Sequence, residues 1–147
     1  MNIDPIQNGV VIDHITAGKG MRLMQLLKLD TTDLSVALLK NVSSHKKGRK
    51  DIIKIDADIP VNLDVVAYVD PTATVNIIKG GKLVEKREME LPELLVDVIS
   101  CKNPRCISST EQGLEPLFYP VHQVMRHGEL VRIPTKYVCA YCDMEQV

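Results

Sequence analysis

Apolar and polar positions alternate in short runs through the first ninety residues, and the runs change period where glycine or proline interrupts them. Residues 10–15, Val-Val-Ile-Asp-His-Ile, read as a strand. Residues 3–9 form an extended lead-in, with Pro5 suited to an edge or a bend. Gly18 and Gly20 break the chain, and residues 21–29 then follow a helical period. Met21, Leu23, Met24, Leu26 and Leu27 are apolar, while Arg22, Gln25 and Lys28 recur on the wet side. Residues 34–43 and 50–57 predict a hairpin around the polar, basic stretch 44–48. Residues 62–69 predict a short helix with Asn62 as N-cap and Asp64 in the first turn, although Val65, Val66 and Val69 are β-branched. Asp70-Pro71 stops it. Residues 73–78 and 82–88 are strands joined through Lys79-Gly80-Gly81.

That order is β-α-β-β-α-β with one strand appended. It predicts an α+β fold: a ferredoxin-like antiparallel sheet covered on one face by two helices. The boundary falls at Leu91-Pro92-Glu93, giving an N-terminal domain 1–92 and a C-terminal domain 93–147. Beyond it, residues 94–99, 116–124 and 129–138 read as strands, with a turn at Arg126-His127-Gly128. This is a small all-β domain, near the size at which a core alone is marginal.

The cysteines change the picture. All four lie in this domain, as Cys101-x4-Cys106 and Cys139-x2-Cys142. Two short-spaced pairs about thirty residues apart are how a tetrahedral all-cysteine zinc site is assembled. The domain is then zinc-ribbon-like, and the metal supplies what its core lacks. Two disulfides would use the same residues, but Met1-Asn2-Ile3-Asp4-Pro5 has no signal-peptide character. A redox CxxC would not need the second pair. A catalytic zinc would need an open position that four thiolates do not leave. His122 and His127 could replace a ligand but fit ordinary strand and turn positions. Lys102, Arg105 and Lys136 flank the cysteines and would offset the charge of a tetrathiolate, or simply be solvated.

Composition narrows the classes. Apolar residues make up 45% of the 147, with no Trp and one Phe, so the cores are aliphatic. Net charge is -1, from 18 basic and 19 acidic residues, which argues against a general nucleic-acid binder. No apolar run reaches a membrane span. The expectation is a soluble, cytoplasmic protein with no nucleic-acid or membrane partner. No catalytic constellation appears: Ser43, Ser44, His45 and Asp51 are close in sequence but sit around a turn. Gly18-Lys19-Gly20 lacks the full phosphate-loop pattern.

Cations do recur on strands. Lys50 and Lys54 share a face with Ile52 between them, and Lys86 lies in the last strand of the same sheet. Converging lysines make an anion site for phosphate; a sheet face carrying lysines for solubility is the simpler reading of the spacing. Asp13 could accept from a ribose hydroxyl and His14 could approach phosphate. A regular strand sends those two to opposite faces, so joint action requires a bulge or a strand end.

At these residues the chain resembles the regulatory chains of aspartate carbamoyltransferase, over nearly its whole length. The resemblance is carried by Gly9-x-Val11-Ile12-Asp13-His14-Ile15, Gly48-Arg49-Lys50-Asp51-x-Ile53-Lys54-Ile55, Ala73-Thr74-Val75-Asn76-x-Ile78, Cys101-x-Asn103-x-x-Cys106-Ile107-Ser108 and Lys136-Tyr137-x-Cys139-x-Tyr141-Cys142. It implies a non-catalytic chain that pairs with itself through its N-terminal domain and holds the catalytic chains through its zinc domain, controlling pyrimidine biosynthesis. It implies allosteric binding of ATP, CTP and UTP. Asp13 would contact the ribose, and His14 and Lys86 the phosphates. Lys50 and Lys54 match the strand lysines, with Lys54 toward sugar and base. The backbone of Ile3, Asp4, Pro5 and Ile6 would read the base, and Val11, Asn76 and Leu83 would line the pocket. Cys101, Cys106, Cys139 and Cys142 would hold one structural Zn2+. The last hairpin carries Gly80-Gly81 where some members have an aromatic residue. The rival readings are a zinc-ribbon nucleic-acid adaptor and a small metal-dependent enzyme.

Overall fold

A computed structural model of the chain describes residues 5–45 and 48–146. The backbone divides into two compact units, Met1–Leu91 and Pro92–Val147. The first contains β1 (Gly9–Thr16), α1 (Gly20–Leu26), β2 (Val36–Ser44), β3 (Gly48–Ile55), α2 (Leu63–Val69), β4 (Thr74–Lys79) and β5 (Lys82–Glu88). The five strands form one sheet in the order β2-β3-β1-β4-β5, every neighbouring pair antiparallel. This is the α+β arrangement that the order of elements predicts, with β1 at its centre.

One face of the sheet is apolar. Val10, Ile12, Ile15, Ile53, Ile55 and Val75 are buried there, together with Leu23 of α1 and Val65, Val66 and Val69 of α2. Each fully buried side chain of this kind contributes roughly 1.5–3 kcal/mol. The caps are local. Asn62 is the N-cap of α2, and its Oδ1 accepts from Asp64 N at 3.1 Å. Helix α1 ends at Leu26, three residues short of the predicted end. Lys28 takes a left-handed φ of 59°, Lys28 N donates to Gln25 O at 3.0 Å, and Leu29 N donates to Met24 O at 2.9 Å. Those two bonds are a Schellman stop with lysine where glycine is usual. Gly80 and Gly81, both at positive φ (60° and 75°), close the tight β4–β5 hairpin.

Three strands of this sheet carry bulges among the described residues. In β1 the register jumps from Ile12↔Ile53 to Ile15↔Asp51, in β2 between Leu39 and Val42, and in β5 opposite Ile77 and Ile78. The first explains why Ile12 and Ile15, an odd number of residues apart, both face the core.

The second unit contains β6 (Leu95–Val96), α3 (Ile107–Thr110), β7 (Leu117–Arg126) and β8 (Glu129–Cys139). The strands form an antiparallel sheet in the order β6-β7-β8. The strand expected over 94–99 shrinks to two residues because Asp97 takes a φ of 55° and donates its amide to Pro116 O at 2.8 Å. Helix α3, a single turn after Cys106, was not expected from the sequence. The turn at His127-Gly128 has both residues at positive φ (52° and 80°) and pairs Arg126 with Glu129. The core is small: Leu95, Cys106, Phe118, Tyr137, Val138 and Cys139 are the buried apolar residues.

Candidate functional site: the open sheet face and the cysteine cluster

The sheet face away from the core mixes charged and polar side chains with apolar ones such as Val11 and Ile52. Its cross-strand partners form one straight row: Lys54 on β3 faces Val11 on β1, Val11 faces Asn76 on β4, and Asn76 faces Lys86 on β5. Three strand spacings separate the lysine backbones, about 14 Å. The bulge in β1 adds two more groups. His14 has a φ of 57°, and the extra residue lets Asp13 and His14 leave the same side of the strand instead of alternating. The condition that the sequence sets for joint action of these two residues is therefore met.

Asp13 Oδ1 accepts from His14 N at 2.6 Å and pairs with Lys50 Nζ at 2.8 Å. Burial pushes the Asp13 carboxyl up, but the Lys50 ammonium and the His14 amide outweigh it, and the group ionises below the ordinary carboxylate range. His14 Nδ1 lies 3.2 Å from Thr74 Oγ1. Thr74 is the cross-strand partner of Asp13. Sequence reasoning missed Thr74, and its register is the signal that places it here. Asn76 Oδ1 is buried and has no partner among the described residues. Burying an amide oxygen unpaired costs about 1–3 kcal/mol.

At the hairpin end of this face, Leu83 pairs with Ile78 and is exposed, as is Lys86. The lead-in segment is tied to the same end: Gly81 N donates to Gln7 O at 2.9 Å and Gly80 N to Asn8 Oδ1 at 3.2 Å. Pro5 is exposed and Ile6 half-buried. Ile3 and Asp4 lie outside the described residues. The Gly18-Lys19-Gly20 amides are not a phosphate cradle, because Gly18 N and Gly20 N both donate inward to Asp51 Oδ2, at 3.1 and 2.9 Å.

In the second unit the four cysteine Sγ atoms lie within 4.8 Å of one another. Cys101 to Cys142 and Cys106 to Cys139 both measure 3.7 Å, and all four thiols are free. Sulfurs about 2.3 Å from a tetrahedral metal stand about 3.8 Å apart, whereas a disulfide needs about 2.05 Å. The fit is to a metal. Asn103 N donates to Cys101 Sγ at 3.4 Å, Gln146 Nε2 to the same sulfur at 3.8 Å, and Ser108 Oγ lies 3.0 Å from Cys106 Sγ. These contacts orient the thiols. The Ser108 hydroxyl draws the Cys106 pKa down to about 7, while burial and the neighbouring sulfurs push Cys101 up to about 12. His122 and His127 stand outside the cluster; His122 Nδ1 is 2.9 Å from Thr135 Oγ1. Lys136 pairs with Glu145 at 3.0 Å.

Family comparison assigns both units. Residues 1–90 match the aspartate carbamoyltransferase regulatory chain allosteric domain, and residues 93–146 match the metal binding domain of the same chain. The chain belongs to the aspartate carbamoyltransferase regulatory chain family. It is 42% identical over 145 residues to the aspartate carbamoyltransferase regulatory chain of Bifidobacterium longum (strain NCC 2705), covering 99% of this chain and 98% of that one. It is 42% identical over 144 residues to the regulatory chain of Clostridium tetani (strain Massachusetts / E88), covering 97% and 94%. It is 39% identical over 143 residues to that of Clostridium acetobutylicum, covering 97% and 92%. Its two matched domains are allosteric and metal-binding ones, so this regulatory chain is not the catalytic polypeptide. Among the described residues no helix is long and apolar enough to cross a membrane.

Proposed function

We propose that this chain binds nucleoside triphosphates on the open face of its N-terminal sheet and transmits their binding to aspartate carbamoyltransferase catalytic chains held by its metal-binding unit. The observation that carries the reading is the row Lys54–Val11–Asn76–Lys86, joined by Asp13 and His14 through the β1 bulge. Lys50, Lys86 and His14 suit a triphosphate, Asp13 suits a ribose hydroxyl, and Lys54 suits the sugar and base. Val11 and Leu83 supply apolar surface, and Asn76 an amide. The backbone of Ile3, Asp4, Pro5 and Ile6 would read the base; Pro5 and Ile6 lead into Gln7 and Asn8, which are tied to the β4–β5 hairpin end of the face. ATP, CTP and UTP share the triphosphate, so discrimination falls to that end.

Cys101, Cys106, Cys139 and Cys142 hold one Zn2+. Bound zinc closes the tetrathiolate and supplies folding energy on the order of 10 kcal/mol to a unit with a small core. The chain pairs with a second copy through the β2 edge, where Val36, Ala37, Leu38 and Leu39 are half-buried. The opposite edge, β5, is exposed throughout and carries Lys82, Glu85, Lys86, Arg87 and Glu88, which blunt strand addition. The assembly works in pyrimidine biosynthesis in the cytoplasm. A nucleotide shifts the balance of two assembly states only by its differential affinity for them, commonly about 1–3 kcal/mol.

Calorimetric titration of the full chain with ATP and with CTP tests this reading. Saturable binding of both, each displaced by inorganic tripolyphosphate, is expected. Absence of heat with either nucleotide, with the chain folded and zinc-loaded, overturns it.

A further inference from the structure

Strand β3 carries a buried carboxylate directly behind its nucleotide-facing lysine. Arg49, Lys50 and Asp51 are consecutive. Lys50 faces the open side, where it meets Asp13. Asp51 faces inward and is 0% exposed. Its Oδ1 accepts from Asn41 N at 2.8 Å, and its Oδ2 from the Gly18 and Gly20 amides at 3.1 and 2.9 Å. Arg49 Nη1 donates to Asn41 O at 3.2 Å. Asn41 is the left-handed residue of the β2 bulge, with φ at 57°. Arg49 and Asp51 thus grip its peptide groups from both sides.

The two register breaks meet here. Strand β1 slips between Ile12 and Ile15 opposite Ile53 and Asp51; strand β2 slips between Leu39 and Val42 opposite Ile52 and Lys50. Strand β3 stays regular while each neighbour carries an extra residue at the level of Asp51. Bulges leave amides without ladder partners, and such amides must be paired when buried. One carboxylate pairs amides from two different segments, so movement of any of them is felt by the others.

We propose that Asp51 is a positioning residue that couples the nucleotide face to the β2 edge and to the start of α1. The inference rests on the nucleotide reading above. A ligand phosphate that draws Lys50 away from Asp13 moves β3 at this rung. Asp51 carries that movement to Asn41 on the edge strand and to Gly20 at the first turn of α1. Because binding couplings are reciprocal, a second copy paired at β2 changes nucleotide affinity by the same factor.

Hydrogen exchange, resolved amide by amide on the full zinc-loaded chain with and without CTP, tests the proposal. The expected result is exchange slowed by about fivefold or more at Asn41 and Gly20, neither of which faces the ligand. In Arg49→Ala both effects remain, because the Asp51 carboxylate still accepts from Asn41 N and from Gly20 N. In Asp51→Asn both effects vanish. A purely structural role would lower the melting temperature of Asp51→Asn and leave the CTP-dependent differences in place. If CTP binds and exchange at both amides is unchanged in the parent chain, the proposal is overturned while the nucleotide reading stands. If neither CTP nor ATP binds the parent chain, the nucleotide reading itself fails and takes the inference with it.

Discussion

Lys50 Nζ lies 2.8 Å from Asp13 Oδ1, joining β3 to the bulge of β1 across the open face of the sheet. The side chains are 15% and 22% exposed, so the pair is shielded more than a surface salt bridge and less than a core one. It holds the proposed ribose acceptor and one proposed phosphate donor in register before any ligand arrives.

Asp13→Asn removes a charged acceptor from the sugar. A hydrogen bond to a charged group contributes about 1.5–3 kcal/mol, so ATP binding weakens by roughly tenfold or more. The 2′,3′-dideoxy analogue of ATP, which lacks the hydroxyls, binds parent and variant alike. Calorimetry with both ligands checks this; equal losses for the two would remove Asp13 from the ribose.

Asp70 makes the N-terminal unit sensitive to acid. Its carboxyl is 1% exposed and accepts from Thr16 N at 2.6 Å, Thr72 N at 2.9 Å and Thr72 Oγ1 at 2.6 Å. Burial raises its pKa, but the bonds from Thr72 and Thr16 outweigh burial and hold it at about 2, against an ordinary 3.8. A depressed folded-state pKa stabilises above the unfolded value, so the contribution is complete above about pH 4 and is lost as pH falls through about 2. It amounts to about 2 kcal/mol. Denaturant unfolding from pH 5 to pH 2 should show Asp70→Asn losing less stability than the parent by that amount. Parallel curves would contradict it.

Gly9→Ala should be poorly tolerated. A Cβ at Gly9 would run into the carbonyl oxygen of Ile55, a backbone atom that cannot swing aside, and would meet Ile6 Cγ2 at 2.9 Å. Overpacking against backbone costs about 3 kcal/mol. Thermal unfolding of the variant should show a loss of that order, and a change under about 0.5 kcal/mol would mean that β1 and β3 are free to separate there.

Much of this architecture is legible in the sequence, and the failures have physical causes. Asn62 before a short apolar run, and Gly80-Gly81 between strands, specify their own backbone conformations. The cysteine pairs bring four sulfurs together because each pair is local and only one longer closure is needed. Lys28 hides the end of α1, since a lysine at left-handed φ carries no local signature. Asp51 is hidden for a different reason: its partners are backbone amides of Gly18, Gly20 and Asn41, which any residue type presents. The convergence of Asp13 with His14 is half visible. The break in alternation between Ile12 and Ile15 requires an extra residue but does not say what that residue serves.

Metal removal separates the two units. Chelation should unfold residues 92–147, whose small core around Leu95, Phe118, Tyr137 and Val138 cannot sustain the fold without the metal, and leave residues 1–91 folded. Release of bound catalytic chain should follow. Size-exclusion chromatography that still shows the full complex after zinc loss would refute the structural role of the cluster.

The most direct test of the nucleotide face is the affinity of Lys86→Ala for ATP and CTP. Lys86 ends the row that begins at Lys54 and is exposed, so its removal should leave the fold intact. Loss of one phosphate contact should weaken both nucleotides by about tenfold, and by the same factor, because they share the triphosphate. Unchanged affinity for both, measured by calorimetry on the folded variant, would contradict a triphosphate site on this sheet.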